Sequence, residues 1–453
     1  MEECNWFPNR QHVKIVYHLN TILKKLLSCL LLICILSSCN HDKKIIVDKI
    51  YTDSLLNNYT RPAVTANEAD IKFWRSRIDS AHPGFSNELK YASVLATRFA
   101  FKGDINDLKT ADSILLLVEK TYNYKEPAAY TSLMSHAISQ HKFNEADTFL
   151  SKAEALGIKP YEQAAYSFDV NFELGRYVPA TQSLQRISKD GYTDYGYEFR
   201  LSKLEHYSGD LDSATRAMLQ AASVAGNNPM FISAALSNAA DLEVHSGKLT
   251  EAYELYKKSI AANSSDLHSI MGIGWIALVH DQNDSLANKL FLFVSGKTKA
   301  PDAVLKLSQS AELNNDTIAM IKYAQQFVEM TNNPAYGTMY NKYLIELFTG
   351  ILNDPADAEA IAKSEIDSRA TPQTYAWYAW CLYCNNKKDE AYKVFEDHVS
   401  GKPLEGIELY WMGKVMKGLD KGYDAHEFFK AAYKNKYDLE PSMIKDLDDN
   451  LKE

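Results

Sequence analysis

Cysteine is the residue type in this chain whose spacing could support redox or metal chemistry. Cys381 and Cys384 form a C-x-x-C pair, and this spacing lowers a thiol pKa when the pair opens a helix after a strand. Here the pair falls in the middle of a predicted helix with no strand before it, and zinc would need two further ligands. The pattern favours two core cysteines, with a redox pair or disulfide and a metal site as the alternatives.

The other residues that could do chemistry form no catalytic pattern. The twelve histidines are scattered, and neither H-E-x-x-H nor G-x-S-x-G occurs. Gly272-Ile273-Gly274 lacks the third glycine and the preceding strand of a dinucleotide-binding loop, so helix packing at small residues explains it better. We therefore predict a protein that is not an enzyme and that uses no cofactor and no metal.

Composition and charge exclude one class of partner. Of the 453 residues, 46% are hydrophobic and only 13 are proline, which suits helices that bury a continuous core. The formal net charge is -9, so the chain lacks the basic balance of a nucleic-acid-binding protein. We expect the partner to be a protein or peptide rather than a small molecule.

The first 39 residues have the order of parts of an export signal. Lys24 and Lys25 precede an apolar run over residues 26–36, which is too short to span a bilayer. Residues 36–39, Leu-Ser-Ser-Cys, resemble the lipobox of bacterial lipoproteins. The resemblance implies that residues 1–38 are a lipoprotein signal peptide and that Cys39 carries the acyl chains, such as palmitate, that anchor the protein in a membrane.

Three further expectations concern this N-terminal region. Residues 1–23 are long for a basic leader, so we expect translation to start near Ile22 or Leu23. One Asp and two Lys follow Cys39, whereas surface-exported lipoproteins of some gram-negative bacteria have clustered acidic residues there. This favours the periplasmic face of the outer membrane over the cell surface. Residues 39–66 lack a sustained helical period and predict a flexible tether.

A regular spacing of alanines organises the rest of the chain. Successive alanines are separated by 32 to 39 residues, and an apolar residue follows most of them four positions later, on the same helix face. They are Ala111, Ala146, Ala180, Ala214, Ala252, Ala287, Ala319, Ala358, Ala391 and Ala425. The spacing predicts about ten helical hairpins within one array over residues 67–453. We expect a polar helix at residues 440–452 to cover the C-terminal end of this array.

The hairpin at residues 372–402 matches a known repeat. Tyr375 stands at its Trp position and Ala379 at its small position, and Ala391 with Phe395 forms its A-x3-F pair. Over roughly residues 86–435 the chain resembles the tetratricopeptide repeat (TPR) family. The resemblance implies an all-α fold, a right-handed superhelix of hairpins whose first helices line a concave groove.

The TPR resemblance also implies where a partner binds. In the family, certain first-helix positions line the groove, and aromatic and charged side chains there suit an extended peptide. Carried over to this chain, those positions are Asp169, Phe172, Lys203, His206, Tyr207, Asp241, His245, Trp380, Tyr383, Tyr410, Lys414 and Lys417. The family's clamp for a peptide carboxylate is not matched in consecutive repeats.

Together these patterns predict a non-catalytic scaffold of the bacterial envelope that binds a protein or peptide in its groove. One alternative is a glycan-capture lipoprotein of a polysaccharide uptake system, although the short loops of this chain lack the long Trp-rich inserts of that group. The other alternative is a regulator of a cell-wall enzyme.

Overall fold

Helices make up nearly all of the described chain. A computed structural model describes residues 44–79, 85–419 and 422–452, and no β-strand occurs within these ranges. Two helices come first, α1 (Lys49–Asn57) and α2 (Pro62–Arg75). Five hairpins follow: α3 (Phe85–Lys102) with α4 (Ile105–Thr121), α5 (Pro127–Ser139) with α6 (Phe143–Leu156), α7 (Pro160–Glu173) with α8 (Tyr177–Lys189), α9 (Tyr195–Ser208) with α10 (Leu211–Val224), and α11 (Pro229–His245) with α12 (Leu249–Ala262).

Five more hairpins and one terminal helix complete the array. The hairpins are α13 (Leu267–Val279) with α14 (Asp284–Ser295), α15 (Asp302–Leu313) with α16 (Thr317–Thr331), α17 (Asn341–Thr349) with α18 (Pro355–Ser368), α19 (Pro372–Cys384) with α20 (Lys388–Val394), and α21 (Gly406–Leu419) with α22 (Ala425–Lys434). A π-helical turn, Phe395–Val399, extends α20, and α23 (Pro441–Asn450) follows the last hairpin. This is the all-α, right-handed superhelix of ten hairpins that the sequence predicts.

Small residues allow the two helices of each hairpin to approach. Eight of the ten alanines in the predicted register are fully buried. A β-carbon at Gly274 on α13 would lie 2.6 Å from the ring of Phe291 on α14, far closer than packed carbon atoms approach. The prediction that Gly272-Ile273-Gly274 serves helix packing is therefore confirmed.

The prediction places one alanine, Ala319, at the wrong position of the repeat. Ala319 and its neighbour Met320 are both half-buried, so the hydrogen bonds between the helices decide which of them holds the position. In the α9–α10 hairpin, the Ser202 hydroxyl donates to the carbonyl of Ala214 at 2.8 Å. The equivalent contact in the α15–α16 hairpin joins Ser308 to the carbonyl of Met320 at 2.9 Å. Met320 therefore holds the register position in this hairpin, one residue later than predicted.

Residues in the left-handed backbone conformation form the tight turns within hairpins. Gly209 follows α9 at φ 85°. Asp210 then caps α10 by accepting a hydrogen bond from the Ser213 amide at 2.9 Å, a contact that stabilises a helix by about 1 kcal/mol. Asn386 takes the corresponding place between α19 and α20 at φ 60°, because asparagine tolerates this conformation better than most residues.

Successive turns of the superhelix touch each other. The carbonyl of Lys102 accepts a hydrogen bond from the Thr298 hydroxyl at 3.0 Å, and that of His141 accepts one from Thr338 at 3.0 Å. Asn144 makes a similar bond to Asp367, and Asn435 to His245. The four bonds join residues that are 190 to 223 positions apart, a separation of roughly six repeats of about 34 residues. The next turn therefore closes over the concave face.

Glycine permits the close approach of these turns. Gly103 has φ 63°, and a β-carbon there would overlap the backbone nitrogen and the side chain of Ala300 in the next turn. Any other residue would therefore be strained twice, by its backbone conformation and by this contact.

The segment before the array is folded, so the prediction of a flexible tether over residues 39–66 is wrong for residues 46–66. The amides of Ile46 and Val47 donate to the two carboxylate oxygens of Asp281 at 3.0 and 2.9 Å. The ring of Tyr59 packs edge-on against Phe293, with 5.0 Å between centroids. This segment is held by contacts with residues more than 200 positions later in the chain. A local sequence pattern cannot predict such contacts.

The predicted signal peptide at residues 1–38 and the predicted lipidation site Cys39 lie outside the described residues. Across the ranges that are described, no helix combines the length and the apolar character needed to cross a bilayer. The lipid anchor and the envelope location remain predictions.

We expect Gly103→Ala to loosen the contact between superhelical turns. The matched control is Gly226→Ala, which has nearly the same φ of 62° but no atom within 4 Å of the added β-carbon. The control should lose about 1–2 kcal/mol of unfolding free energy from its left-handed conformation. Gly103→Ala should lose about 1–3 kcal/mol more, because the turns must separate.

Chemical denaturation measures the two losses, and small-angle scattering measures the radius of gyration. Only Gly103→Ala should have an increased radius. Equal losses and unchanged radii would show that the turns do not depend on this contact.

Candidate functional site

The inner face of the superhelix lines a partly open cavity of about 620 Å³. Its walls are the first helices α9, α11, α13, α15 and α17 with the start of α21, so six hairpins contribute. We call it the axial cavity, and its charged, histidine and aromatic side chains include Lys203, His206, Asp241, His245, His268, Trp275, Lys306, Lys342, Tyr343, Glu346, Glu405 and Asp438. Adjoining chambers of about 460 and 490 Å³ share wall residues with it, so an elongated ligand could extend beyond one chamber.

Ion pairs across neighbouring first helices line this space. Lys203 on α9 lies 2.6 Å from Glu173 on α7, and His268 on α13 lies 2.8 Å from Asp241 on α11. Because each pair joins consecutive hairpins, these charges hold the inner face in place as well as setting its potential.

Asp241 is the centre of a small polar network. It accepts hydrogen bonds from the Tyr256 hydroxyl at 2.6 Å and from His268 Nε2 at 2.8 Å. The Asp241 carboxylate raises the pKa of His268 to about 9, although burial acts in the opposite direction. His268 is therefore a cation at neutral pH.

Lys306 is the cation of the axial cavity that the protein leaves most available. Burial lowers its pKa to about 8. Its ammonium nitrogen lies 3.4 Å from the ring centroid of Trp275, and within the described chain no carboxylate lies within 4 Å of it. Trp275 is held in turn, because its Nε1 donates to the carbonyl of Tyr437 at 2.7 Å. Lys306 can therefore interact with an anionic or carbonyl group of a ligand.

Two histidines close one side of the cavity against the next turn. The rings of His206 and His245 lie 5.0 Å apart, edge to face. His245 hydrogen-bonds to Asp438, and His206 lies 4.0 Å from Glu405. Burial lowers the pKa of His206; burial also acts to lower the pKa of His245, but Asp438 outweighs it and raises that pKa.

The predicted groove residues of the middle hairpins divide into two groups. Lys203, His206, Asp241 and His245 line the axial cavity, and Phe172 lines the adjoining 460 Å³ chamber. Asp169 and Tyr207 lie outside these spaces: Asp169 accepts from Arg200 at 2.6 Å, and Tyr207 stacks on Tyr177 with 3.6 Å between centroids. Contact of these residues with a partner remains a prediction.

The five later groove residues lie on α19 and α21; they are Trp380, Tyr383, Tyr410, Lys414 and Lys417. Tyr410 and Lys414 bond to Asp446 of α23 at 2.8 and 2.9 Å. Lys417 bonds to Asn450 at 2.8 Å, and Trp380 and Tyr383 stack on each other with 5.9 Å between centroids. The helix α23 therefore occupies the groove beside Tyr410, Lys414 and Lys417, and a partner role for all five remains a prediction.

Sequence reasoning missed Trp275, Lys306 and Lys342. They lie on α13, α15 and α17, within residues 264–366, where the alanine spacing is least regular. These three residues could have been found by applying the family's groove positions to α13, α15 and α17 as well.

The C-x-x-C pair lies in the core, as predicted. Cys381 is fully buried and Cys384 half-buried, and both are free thiols. Burial raises the pKa of Cys384 to about 12, the opposite of what a reactive thiol requires. In the described part of the chain, no group of three or more His, Cys, Asp or Glu side chains is placed to hold a metal ion.

Comparisons with known proteins find similarity in structure alone. No protein-family model matches the chain, and no curated protein matches it in sequence. The human IFIT1 dimer with PPP-AAAA is similar at a TM-score of 0.44 and 12% identity, covering 84% of this chain and 98% of that one. Yeast Tom70 is similar at 0.35 and 13%, covering 79% and 95%.

A tetratricopeptide repeat protein from Parabacteroides merdae is similar at a TM-score of 0.32 and 17% identity, covering 65% of this chain and 98% of that one. At these identities the likeness concerns the fold alone.

We expect His268 to titrate near pH 9 in the folded protein. Because this pKa is raised above about 6.5, the value in an unfolded chain, the pair with Asp241 stabilises fully below pH 6.5. That stabilisation is lost as the pH rises through about 9. Nuclear magnetic resonance of ¹³C-labelled histidine follows the midpoint.

In Asp241→Asn the midpoint should fall towards 6.5, because the largest upward effect is lost and burial opposes the smaller effects of Asp266 and Asp302. Glu251→Gln removes an exposed carboxylate outside the cavity and should leave the midpoint near 9. A midpoint near 6.5 in the unmodified protein would contradict the assigned pair.

Proposed function

We propose that this protein is a non-catalytic scaffold that binds a short, extended peptide segment in the axial cavity. The observation that carries the proposal is the convergence of five first helices and the start of a sixth on one partly enclosed space with charged and aromatic walls. Aromatic side chains such as Trp275 and Tyr343 supply apolar contact area, and the charged groups fix the register of a bound chain.

The contacts between superhelical turns limit the size of the ligand. Because Lys102 and His141 bond directly to residues of the next turn, the concave face offers no open trough for a folded domain. The axial cavity falls within the volume range of pockets that bind small ligands. Its two adjoining chambers extend that space, which suits a strand of several residues better than a compact molecule.

We also propose that the protein is a lipoprotein of the outer membrane that faces the periplasm, with the acyl anchor on Cys39. The order of the basic residues, the apolar run and the Leu-Ser-Ser-Cys sequence supports this proposal. The partner would then be a protein of the cell envelope.

No specific observation supports either alternative function. A glycan-capture surface would present aromatic platforms, yet within the described ranges Trp275, Trp377 and Trp411 are buried, and Trp74 and Trp380 are half-buried. Regulation of a cell-wall enzyme would be one form of partner binding, and the same binding experiment addresses it.

The peptide proposal is tested by selecting a random heptapeptide library on the purified protein. Asn238→Trp introduces a large side chain between the axial cavity and the 490 Å³ chamber. Ile318→Trp, at a position 84% exposed on α16, is the matched control. Selected peptides should bind the unmodified protein and Ile318→Trp equally, and should bind Asn238→Trp at least tenfold more weakly, a loss of roughly 1.4 kcal/mol. Equal binding to all three proteins, or no enrichment, would contradict the proposal.

The anchor proposal is tested by metabolic labelling with an alkyne fatty acid in a gram-negative host. The unmodified chain should take up the label and sediment with the outer membrane. Cys39→Ala should lose the label and accumulate as an uncleaved precursor, because the acylated residue is absent. Labelling that persists in Cys39→Ala would exclude Cys39 as the site.

A further inference from the structure

A fourth chamber, of about 330 Å³, adjoins the axial cavity where α23 begins. Gln309 and Glu346 line both spaces. Glu312 and Glu440 complete its polar wall, and Trp380 lies on its aromatic side. We call this space, bounded by these five residues, the acid chamber.

The three carboxyl groups of the acid chamber are poorly supplied with donors. Gln309 Nε2 donates to Glu440 at 2.8 Å, and the amide of Ser442 donates to Glu312 at 3.2 Å. Glu346 and Glu440 lie close enough to influence each other's protonation.

An unpartnered acceptor beside these carboxyls points independently to a ligand. Gln309 is only 5% exposed, and its Oε1 atom has no hydrogen-bond partner. A buried amide oxygen without a donor lowers the stability of the folded protein. A ligand that supplies N–H donors would satisfy Gln309 and the neighbouring carboxylates together.

The nearest cations, Lys306 and Lys342, act on the carboxyl groups of this cluster only from a distance, without a close ion pair. Lys306 lies over Trp275, and Lys342 lies 3.5 Å from Glu408. Neither ammonium group is within 4 Å of a carboxylate of the acid chamber in the described structure. Burial raises the pKa of Glu346 and of Glu440, and with Glu440 nearby it raises the pKa of Glu312 to about 6.

The aromatic wall has the second property that suits an organic cation. Trp380 stacks on Trp411 with 5.7 Å between centroids and an interplanar angle of 3°, and its Nε1 donates to Thr349 at 3.0 Å. The ring orientation is therefore fixed. Ammonium and guanidinium groups bind aromatic faces and carboxylates together, and guanidinium donates in a planar fork.

We propose that the acid chamber binds the basic side chain, arginine or lysine, of the peptide that occupies the axial cavity. The chamber opens to that cavity at Gln309 and Glu346. The identity of the carrier rests on the proposed function, whereas the preference for an organic cation rests on the chamber alone.

Calorimetric titration with N-butylguanidinium tests the chamber without a peptide. Its neutral isostere N-butylurea should bind at least tenfold more weakly. The affinity for N-butylguanidinium should increase between pH 5 and pH 8, because the cation displaces protons from the carboxyl groups. Glu346→Gln should reduce the affinity at least tenfold and flatten this pH dependence. Glu251→Gln, an exposed control, should change neither, and thermal unfolding checks that both variants fold.

A second arm identifies the carrier. In the selected heptapeptides, replacing each arginine by citrulline should weaken binding at least tenfold. Unchanged peptide binding, with N-butylguanidinium or spermidine still bound, would overturn the peptide as the carrier. Binding of Mg²⁺ or Ca²⁺ without N-butylguanidinium would overturn the organic cation. Failure of N-butylguanidinium to bind, while Asn238→Trp still weakens peptide binding at least tenfold, would overturn the acid chamber and leave the proposed function standing.

Discussion

Contact between successive superhelical turns is the constraint on which the rest of this structure depends. Gly103 lies directly against Ala300 of the next turn, and hydrogen bonds such as that from the Thr298 hydroxyl to the Lys102 carbonyl accompany this approach. An array of hairpins without such contacts would be an open coil with a wet inner face. In this protein the inner face is partly enclosed, and this enclosure strengthens the interactions of its less exposed charges because the effective dielectric constant falls.

Enclosure explains why the inner residues differ in chemistry although they occupy similar positions on first helices. His268 beside Asp241 is held as a cation, whereas His206, which has only a distant carboxylate, has a lowered pKa. Lys306, which has no carboxylate within 4 Å in the described chain, has a lowered pKa because burial disfavours its charged form. The same scaffold therefore presents several kinds of recognition group within one space.

The hairpins were predictable from sequence because the signals that specify them are local. Alanines such as Ala111 recur at the repeat length, and their helices follow directly from that spacing. The folded segment at residues 46–66 and the position of α23 were not predictable, because both depend on contacts with distant hairpins, as between Val47 and Asp281. Lys306 was missed for a related reason: the repeat is least regular where the cavity is most highly charged.

The contacts of the segment that leads into α23 have a consequence for the order of assembly. Tyr437, Asp438 and Glu440 hold side chains of α13, α11 and α15, respectively. In a chain that emerges from its N-terminus, as it would in the proposed export, these residues appear after every hairpin that they bind. The hairpins can fold one by one as they appear, but the recognition space has an incomplete wall until residue 440 has emerged. A partly emerged chain therefore cannot bind the ligand in its final geometry, so the scaffold folds before it is occupied.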